Sequence, residues 1–390
     1  MKQKARTSRS PVIVGLGMTQ LGKVFGRTSS QFAADATRLA VADAGLALSD
    51  VDGLLVSSGV ANDVGLELQV DLNLRNLKIL TQMQAFGSTA GAMVQYASLA
   101  VEAGMAEVIV CVFGDSPLKE GVGAGVAYSD GHRTNAGWAG LQRSTGAVVP
   151  NVLYSLAARR HMLKYGTTSE QLGAIAVAQR DWAVLNPLAQ MRTPISIADH
   201  QDSRIISDPF HLLDCCLVSN GGVAVIVATA ERARDLHQPP VDVLGWAQSH
   251  PGTKMRRNAD FGLVTGAAQS GPAAMSMAGV TTNDLDVVEI YDCYTYTALV
   301  TLEDYGFCAK GEGGEFVSAP GNLGPAGKLK MNTGGGQLSS YYMWGMTPLS
   351  EGIMQARGQA GARQQSRHEL VLVSGNGGIL DYHSTLILGS

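Results

Sequence analysis

Three segments of this 390-residue chain gather phenols, and two of them set a histidine or an indole beside runs of glycine. "EIYDCYTYTALVTLEDYGF" (289–307) carries Tyr291, Asp292, Cys293, Tyr294 and Tyr296 at the end of an apolar stretch. "MNTGGGQLSSYYMWG" (331–345) follows a glycine turn with Tyr341, Tyr342 and Trp344, and "SGNGGILDYHSTLIL" (374–388) follows another with Tyr382 and His383. Each reads as a loop closing a regular element, where catalytic groups tend to sit. A phenol can give or take a proton if its neighbours adjust its pKa near 10. Glycine turns let backbone N–H groups approach an oxyanion closely. The alternative for any one of these tyrosines is packing, with its hydroxyl at the surface.

Other chemistries find little support. In "GLGMTQLG" (15–22) Gln20 takes the third glycine position of a dinucleotide fingerprint, and no acidic residue follows at the ribose distance. No phosphate-binding loop, zinc-protease helix or serine nucleophile elbow is present. The five cysteines, Cys111, Cys215, Cys216, Cys293 and Cys308, include no C-x-x-C pair. Cys111 reads as a buried hydrophobe, and Cys215–Cys216 after Asp214 as packing before a strand. His161, His200, His237, His250 and His368 are scattered among polar residues and read as surface groups. A net charge of −4 gives no reason to expect nucleic acid or an anionic membrane as partner.

The elements that must carry these loops alternate strand and helix. "PVIVGLG" (11–17), "VDGLLVSSG" (51–59), "AEVIVCVFGD" (106–115) and "VAVIVATA" (223–230) read as strands; "SSQFAADATRLAVADAG" (29–45) and "STAGAMVQYASLAVEAG" (88–104) read as helices. Apolar residues make up 45% of the chain and charged ones 16%, enough for a large core, so the class is α/β with a covered sheet. "AGLALSDVDGLLV" (44–56) and "AGVTTNDLDVVEI" (278–290) repeat one pattern: a helix closed by Ala-Gly, then Asp-x-Asp, then a strand. Asp50 and Asp52 match Asp284 and Asp286. The repeat divides the chain into a first half, 1–240, and a second, 241–390. A weakly periodic stretch at about 116–215, including "KEGVGAGVAYSDGHRTNAGWAG", reads as a loop domain inserted in the first half. The basic N-terminus "MKQKARTSRS" leads directly into a strand, and no window approaches about 18 apolar residues, so a soluble, reduced, cytoplasmic protein is expected.

The duplicated "AG(L/V)xxxD(V/L)D" units, helix 88–104 feeding "EVIVCVFGD", "YDCYTYT", "NTGGGQL" and "SGNGG" together resemble the thiolase superfamily over essentially the whole chain. "LEDYGFCAKGEGGEF" (302–316) and "LLDCC" resemble its sterol-carrier, lipid-transfer branch. The resemblance implies a thiolase fold, a duplicated five-layer αβαβα arrangement, with homodimers and acyl-CoA substrates. Thiolases use one cysteine as nucleophile, a second as acid/base, and histidines to hold the thioester oxygen. Here the nucleophile position falls on Gly87 in "AFGSTAG", the loop histidine at or beside Tyr342, and the second cysteine on Ser374 or a near neighbour. The strand-end Asn-Glu pair becomes Tyr291-Asp292, with Tyr294 two residues on.

Those departures exclude acyl transfer through the usual nucleophile, since glycine supplies none. A retro-aldol cleavage needs no nucleophile, and Gly87 is expected to leave room for a bulky carbon skeleton. The pattern resembles the thiolase-like aldolases that shorten steroid side chains, cleaving a β-hydroxyacyl-CoA to a ketone and a short acyl-CoA such as propionyl- or acetyl-CoA. That resemblance places the proton-transfer roles on Tyr294 and Tyr342, with His383 a further catalytic candidate. It implies Gly87, Ser88, Asp292, Asn332, Gly335, Gly336, Gly377 and Gly378 as substrate-binding residues. It also implies no cofactor or metal held by this chain, a CoA thioester as substrate, and a small partner with an OB fold and a zinc ribbon completing a heterotetramer. Two other readings stay open: a thiolase with a displaced cysteine, Cys293, and a non-catalytic acyl-CoA- or lipid-binding subunit. Nothing in the loops reads out the acyl group, whether steroid, bile acid, aromatic or terpenoid.

Overall fold

The computed structural model describes residues 7–128, 140, 144–147, 149–252 and 260–390. Much of "YSDGHRTNAGWAG" in the expected loop domain, and the start of the basic N-terminus, thus lie outside the described residues. Among those described, the strands are β1 (Pro11–Met18), β2 (Gly53–Ser58), β3 (Ile79–Gln82), β4 (Val108–Asp115), β5 (Ile205–Ser207), β6 (Phe210–His211), β7 (Gly221–Thr229), β8 (Val241–Ser249), β9 (Val287–Glu289), β10 (Leu370–Gly377) and β11 (Tyr382–Gly389). Nine of them form one sheet, in the order β3-β2-β4-β7-β1-β8-β11-β10-β9, while β5 and β6 pair apart.

The order is a duplication joined edge to edge. In the first half β2 and β4 are parallel, β7 runs antiparallel to β4, and β1 antiparallel to β7. In the second, β9 and β10 are parallel, β11 runs antiparallel to β10, and β8 antiparallel to β11. A short antiparallel contact, Val12 with Asp242 and Ile13 with Val241, joins the halves.

The repeated sequence unit does the same work twice. Helix α1 (Ser29–Ala44) ends at Gly45 with φ 75°, and the helix Ala267–Ala278 of the second half ends at Gly279 with φ 74°. Both are left-handed caps that glycine adopts without steric cost. Asp50 then accepts from the Ala47 N–H, and Asp284 from the Thr281 N–H, closing one turn of tight helix in each half. Asp52 accepts from the N–H groups of Glu107 and Val108 at the start of β4, and Asp286 from that of Leu370 at the start of β10. Each Asp-x-Asp therefore caps a turn with its first carboxylate and fixes the neighbouring parallel strand with its second.

The layers follow from which helix faces are apolar. α1 packs on β1, β4 and β7, and the helix Ala267–Ala278 on β8 and β11. α2 (Thr89–Glu102) lies between the halves, touching β4, β7 and β1 on one side and β10, β11 and β8 on the other, and the helix Met346–Ala356 shares that middle layer. Ten of the fourteen α2 residues are buried, as a helix covered on both sides requires. The glycines of "GLG" find their purpose here. A Cβ on Gly17 would meet the Ala36 carbonyl at 2.1 Å and one on Gly15 the Ala40 carbonyl at 2.5 Å, so they admit α1 to the sheet. Gly245 does likewise for the Ala274 carbonyl, at 2.2 Å, in the second half.

Between β4 and β7 the chain adds α3 (Pro150–Tyr165), α4 (Ser169–Val184), the short helix Ile197–Asp202 and the β5–β6 pair. Buried histidines hold this region to the second half, which corrects the surface reading of two of them. His161 has 0% exposure; its Nε2 lies 3.1 Å from both Glu303 oxygens and its Nδ1 2.9 Å from the Thr167 hydroxyl. Lys310 Nζ lies 3.1 Å from Glu303 and 2.6 Å from Asp304. Much of "LEDYGFCAKGEGGEF" is thus a clamp on α3. His200 is equally buried, 2.9 Å from Asp214, which also accepts from the Thr295 hydroxyl at 2.5 Å and the His211 N–H at 2.7 Å. A buried charge persists only when paired, and polar spacing in sequence does not reveal such a pairing. No helix among the described residues is long and apolar enough to cross a membrane.

Candidate active site

Gly87 lies in the turn Phe86–Ser88 that opens α2. Three other glycines converge on it: a Cβ on Gly345 would meet the Gly87 carbonyl at 2.2 Å, one on Gly375 the same carbonyl at 2.8 Å, and one on Gly377 the Ala85 carbonyl at 2.3 Å. The Ser384 hydroxyl donates to the Ser88 carbonyl at 2.9 Å and ties the turn to β11. Around it Phe86, Trp344, Ile379 and Leu380 hold φ between 49° and 68°, a region that costs a side-chain-bearing residue free energy. Strain of this kind gathers where surrounding packing over-determines a functional geometry.

The space beside Gly87 is filled, contrary to the expected vacancy. A Cβ there would lie 2.1 Å from Cε2 and 2.2 Å from Cζ of Tyr291, and 2.2 Å from the Asn376 carbonyl. The Tyr291 ring thus stands where a side chain at position 87 would stand. Its hydroxyl shares a 2.8 Å hydrogen bond with that of Tyr342. Both residues are buried, at 3% and 9% exposure.

The glycine loop that carries Tyr342 is held from beneath. Asp292 accepts from the Gln337 N–H at 2.9 Å and from that of Leu338 at 3.4 Å. Asn332 clamps the end of β9, accepting from the Ile290 N–H at 2.6 Å and donating to its carbonyl at 2.9 Å. Gly335 lies against Ala183, and a Cβ on Gly336 would meet an Asp292 oxygen at 2.2 Å. Asp292, Asn332, Gly335 and Gly336, expected to contact substrate, spend their contacts on shaping the loop. Gly377 faces the Gly87 turn, while Gly378, at φ 60°, lies against the Tyr382 ring. Ser88 is buried, and its hydroxyl has no hydrogen-bond partner among the described residues.

The other two expected catalytic residues point elsewhere. Tyr294 opens α6 (Thr295–Tyr305, counting the helix Ala267–Ala278 as α5); its hydroxyl bonds Asn151 and its ring packs on Phe210 and Tyr154 at 4.9 and 4.6 Å. It joins α6 to the inserted region, and Tyr291, three residues earlier, is the phenol that meets Tyr342. His383 neighbours Ser384 on β11, and side chains alternate across a strand, so it faces away from Ser88. Its Nε2 lies 3.0 Å from the hydroxyls of both Tyr305 and Ser374. Burial lowers its pKa to about 3, which keeps the imidazole neutral.

Electrostatics separate the remaining candidates. Burial pushes the phenols of Tyr291 and Tyr342 well above their ordinary pKa of 10, so the neighbours do not lower it as a phenolate base requires. Burial also pushes the Cys293 thiol up to about 12 and the Asp292 carboxyl up to about 7. Cys293, with Thr297 at 3.5 Å, is a protonated thiol at neutral pH and a poor nucleophile.

Residues 247–390 match the family described as Thiolase C-terminal domain-like. The chain is 38% identical to the steroid side-chain-cleaving aldolase of Thermomonospora curvata, over 97% of each protein. This chain belongs to the thiolase-like aldolases. It is also 36% identical to the 17-hydroxy-3-oxo-4-pregnene-20-carboxyl-CoA lyase of Mycobacterium tuberculosis, over 98% of this chain and all of that one. A solved Ltp2-ChsH2(DUF35) aldolase chain superposes with a TM-score of 0.87 at 34% identity, each chain covered to 98%. In this aldolase glycine loops meet at the start of α2. The aromatic ring that lies there comes from the strand end of the second half. Sequence alone lists Tyr291 among five residues of one segment, gives the catalytic role there to Tyr294, and cannot reveal that the Tyr291 ring and Gly87 exchange volume.

Proposed function

We propose that this aldolase cleaves the Cα–Cβ bond of a β-hydroxyacyl-CoA with a bulky, steroid side-chain-like acyl group. The products are a ketone and a short acyl-CoA such as propionyl- or acetyl-CoA. The observation that carries the reading is the hydrogen-bonded Tyr291–Tyr342 pair, whose Tyr291 ring lies against Gly87. The β-hydroxyl gives its proton to one phenol oxygen, which at the same time passes its own proton across the hydrogen bond to the partner phenol, while the substrate C–O bond becomes a carbonyl. The Cα–Cβ electron pair passes to the thioester as an enolate, and the partner phenol returns a proton to Cα. One proton leaves oxygen and one reaches carbon, so the pair ends as neutral as it began and needs no co-reactant. Two phenols with raised pKa values suit such a shuttle, because neither has to persist as a buried anion. The partnerless Ser88 hydroxyl is a donor available to the thioester oxygen.

The protein works in this reading as a homodimer in the cytoplasm, with a small OB-fold, zinc-ribbon partner completing a heterotetramer. Any zinc belongs to that partner. The similarity to a chain of the Ltp2-ChsH2(DUF35) aldolase supports a partner of some kind. Incubation with a 22-carbon steroid β-hydroxyacyl-CoA, with and without the partner, tests the proposal. Ketone and propionyl-CoA should appear in equal amounts. Acyl transfer to free CoA without ketone release would overturn it.

A further inference from the structure

Thr333 stands at the start of the glycine loop that carries Tyr342, and Glu289 ends β9 two residues before Tyr291. Both are buried, as is Glu351 on the helix Met346–Ala356. The Thr333 hydroxyl lies 2.9 Å from Oε1 of Glu289 and 2.9 Å from Oε1 of Glu351. The same hydroxyl receives a hydrogen bond from Gln355 Nε2 at 2.8 Å. That amide cannot be turned round: its oxygen accepts from the Gln365 N–H at 3.1 Å, and its nitrogen donates to the Arg363 carbonyl at 3.0 Å. Arg363 is the one cation paired with this cluster among the described residues. Its Nε and Nη2 hold the two Glu351 oxygens at 2.8 and 2.9 Å. Asp292 and the Tyr341 phenol border, with the two glutamates, a water-sized cavity of about 10 Å³.

A hydroxyl has one hydrogen to give and two positions at which to accept. With Gln355 filling one acceptor position, the single Thr333 hydrogen can go to only one of the two carboxyls. The other contact, at the same 2.9 Å, closes as a hydrogen bond only if that carboxyl carries a proton and donates it to the second position. Charge counting gives the same answer. Two carboxylates against one guanidinium leave a buried net charge, whereas one added proton makes the group neutral. The two-pronged clasp of Arg363 favours Glu351 as the anion. Burial, and then the charge of Glu351, push the Glu289 carboxyl well above the usual carboxylate range. We propose that Glu289 and Glu351 share one proton through the Thr333 hydroxyl, and that Thr333 is thereby a positioning residue for the Tyr291–Tyr342 pair. The Glu289 acid donates to Thr333 and Thr333 to the Glu351 carboxylate, so a proton ties the strand end bearing Tyr291 to the loop bearing Tyr342. The proton that passes between the phenols crosses their 2.8 Å bond, and that spacing depends on how the strand end meets the loop. The catalytic part of this inference rests on the function proposed above.

Infrared spectroscopy of the full-length protein at pH 8 reads the proton directly, as the carbonyl band of a neutral carboxylic acid that shifts in D2O. Wild type should show it. Asp292 and Asp115, whose carboxyls burial pushes up to about 7 and about 6, are mostly ionised at that pH. Glu289→Gln should lose the band by removing the acid. Glu351→Gln should lose it too, because Glu289 is then the remaining carboxyl to balance Arg363 and ionises. A band absent from wild type, or kept in Glu289→Gln, overturns the shared proton. A band kept in Glu351→Gln marks an acid made neutral by burial alone and overturns the sharing. For the positioning role, Thr333→Val and Thr333→Ala should lower kcat for β-hydroxyacyl-CoA cleavage about tenfold, the upper effect of one hydrogen bond, with KM close to wild type. Thr333→Ser, which keeps the hydroxyl, should recover most of that loss. Unchanged kcat in Thr333→Val or Thr333→Ala, or a loss that Thr333→Ser does not recover, overturns the positioning role. Failure of the wild type to cleave any such substrate instead overturns the functional reading, leaving the band to decide the shared proton alone.

Discussion

Alanine at position 87 is the sharpest perturbation the site offers. The added Cβ would begin 2.1 Å from a carbon of the Tyr291 ring and 2.2 Å from the Asn376 carbonyl oxygen. Carbon atoms rest about 3.5 Å apart, so the ring must retreat by about 1.4 Å even if the backbone stays still. The ring cannot move so far and keep the 2.8 Å bond to Tyr342, and the carbonyl belongs to β10, which is paired on both sides. Overpacking of this kind costs about 1–3 kcal/mol. Separating the phenols should lower kcat by about 10²–10³-fold, within the usual range for a lost acid–base group. Thermal unfolding and a product assay measure the two effects. Their coupling can be read from the double variant: with Ala at 87, Tyr291→Ala should cost less stability than it does in wild type, because the clash it relieves is gone. If Gly87→Ala melts and turns over like wild type, the Tyr291 ring does not occupy that space and the reasoning fails. Gly87→Cys should meet the same clash and gain no thiolase activity.

Three further outcomes follow from the same geometry. Tyr342→Phe should lower kcat by about 10²–10⁴-fold with little change in KM. Tyr294→Phe, which loses a bond to Asn151, should cost about 1 kcal/mol of stability and leave kcat within a few-fold, as steady-state kinetics and melting will tell. Cys293→Ala should keep its activity and take no label from a thioester probe in either form, because burial holds the thiol protonated; labelling that the variant abolishes would restore the displaced-nucleophile reading. For His383 the folded pKa, about 3, lies below the unfolded value of about 6.5. The unfolded chain then binds the extra proton first, so this stabilising contribution is complete above pH 6.5 and falls by about 1.4 kcal/mol per pH unit on acidification toward pH 3. Between pH 6.5 and 5 wild type should thus lose about 2 kcal/mol more than His383→Gln, measured by denaturant unfolding; equal slopes would contradict the neutral imidazole.

The sequence by itself determined the duplicated α/β fold. Ala-Gly followed by Asp-x-Asp is a local instruction: a left-handed glycine cap, a carboxylate closing the next turn, and a second fixing the adjacent strand. Local rules need no knowledge of distant partners, so they are legible in both copies. The glycine at position 87, the glycine turns and the set of tyrosines were legible for the same reason. Which tyrosine meets which was not. Tyr291 and Tyr294 lie on one short segment, and only the approach of β9 and the loop 331–345 to the α2 turn selects the first. The polar settings of His161 and His200 in sequence say nothing of Glu303 and Asp214, which reach them from 142 and 14 residues away. Likewise His383 and Ser384 are neighbours in the chain, yet the strand turns one toward Tyr305 and the other toward Ser88. Glycine at position 87 removes a side chain, but its meaning depends on what fills the space. Only the tertiary structure decided that this is the Tyr291 ring, because shape complementarity joins residues about two hundred positions apart and leaves no local pattern.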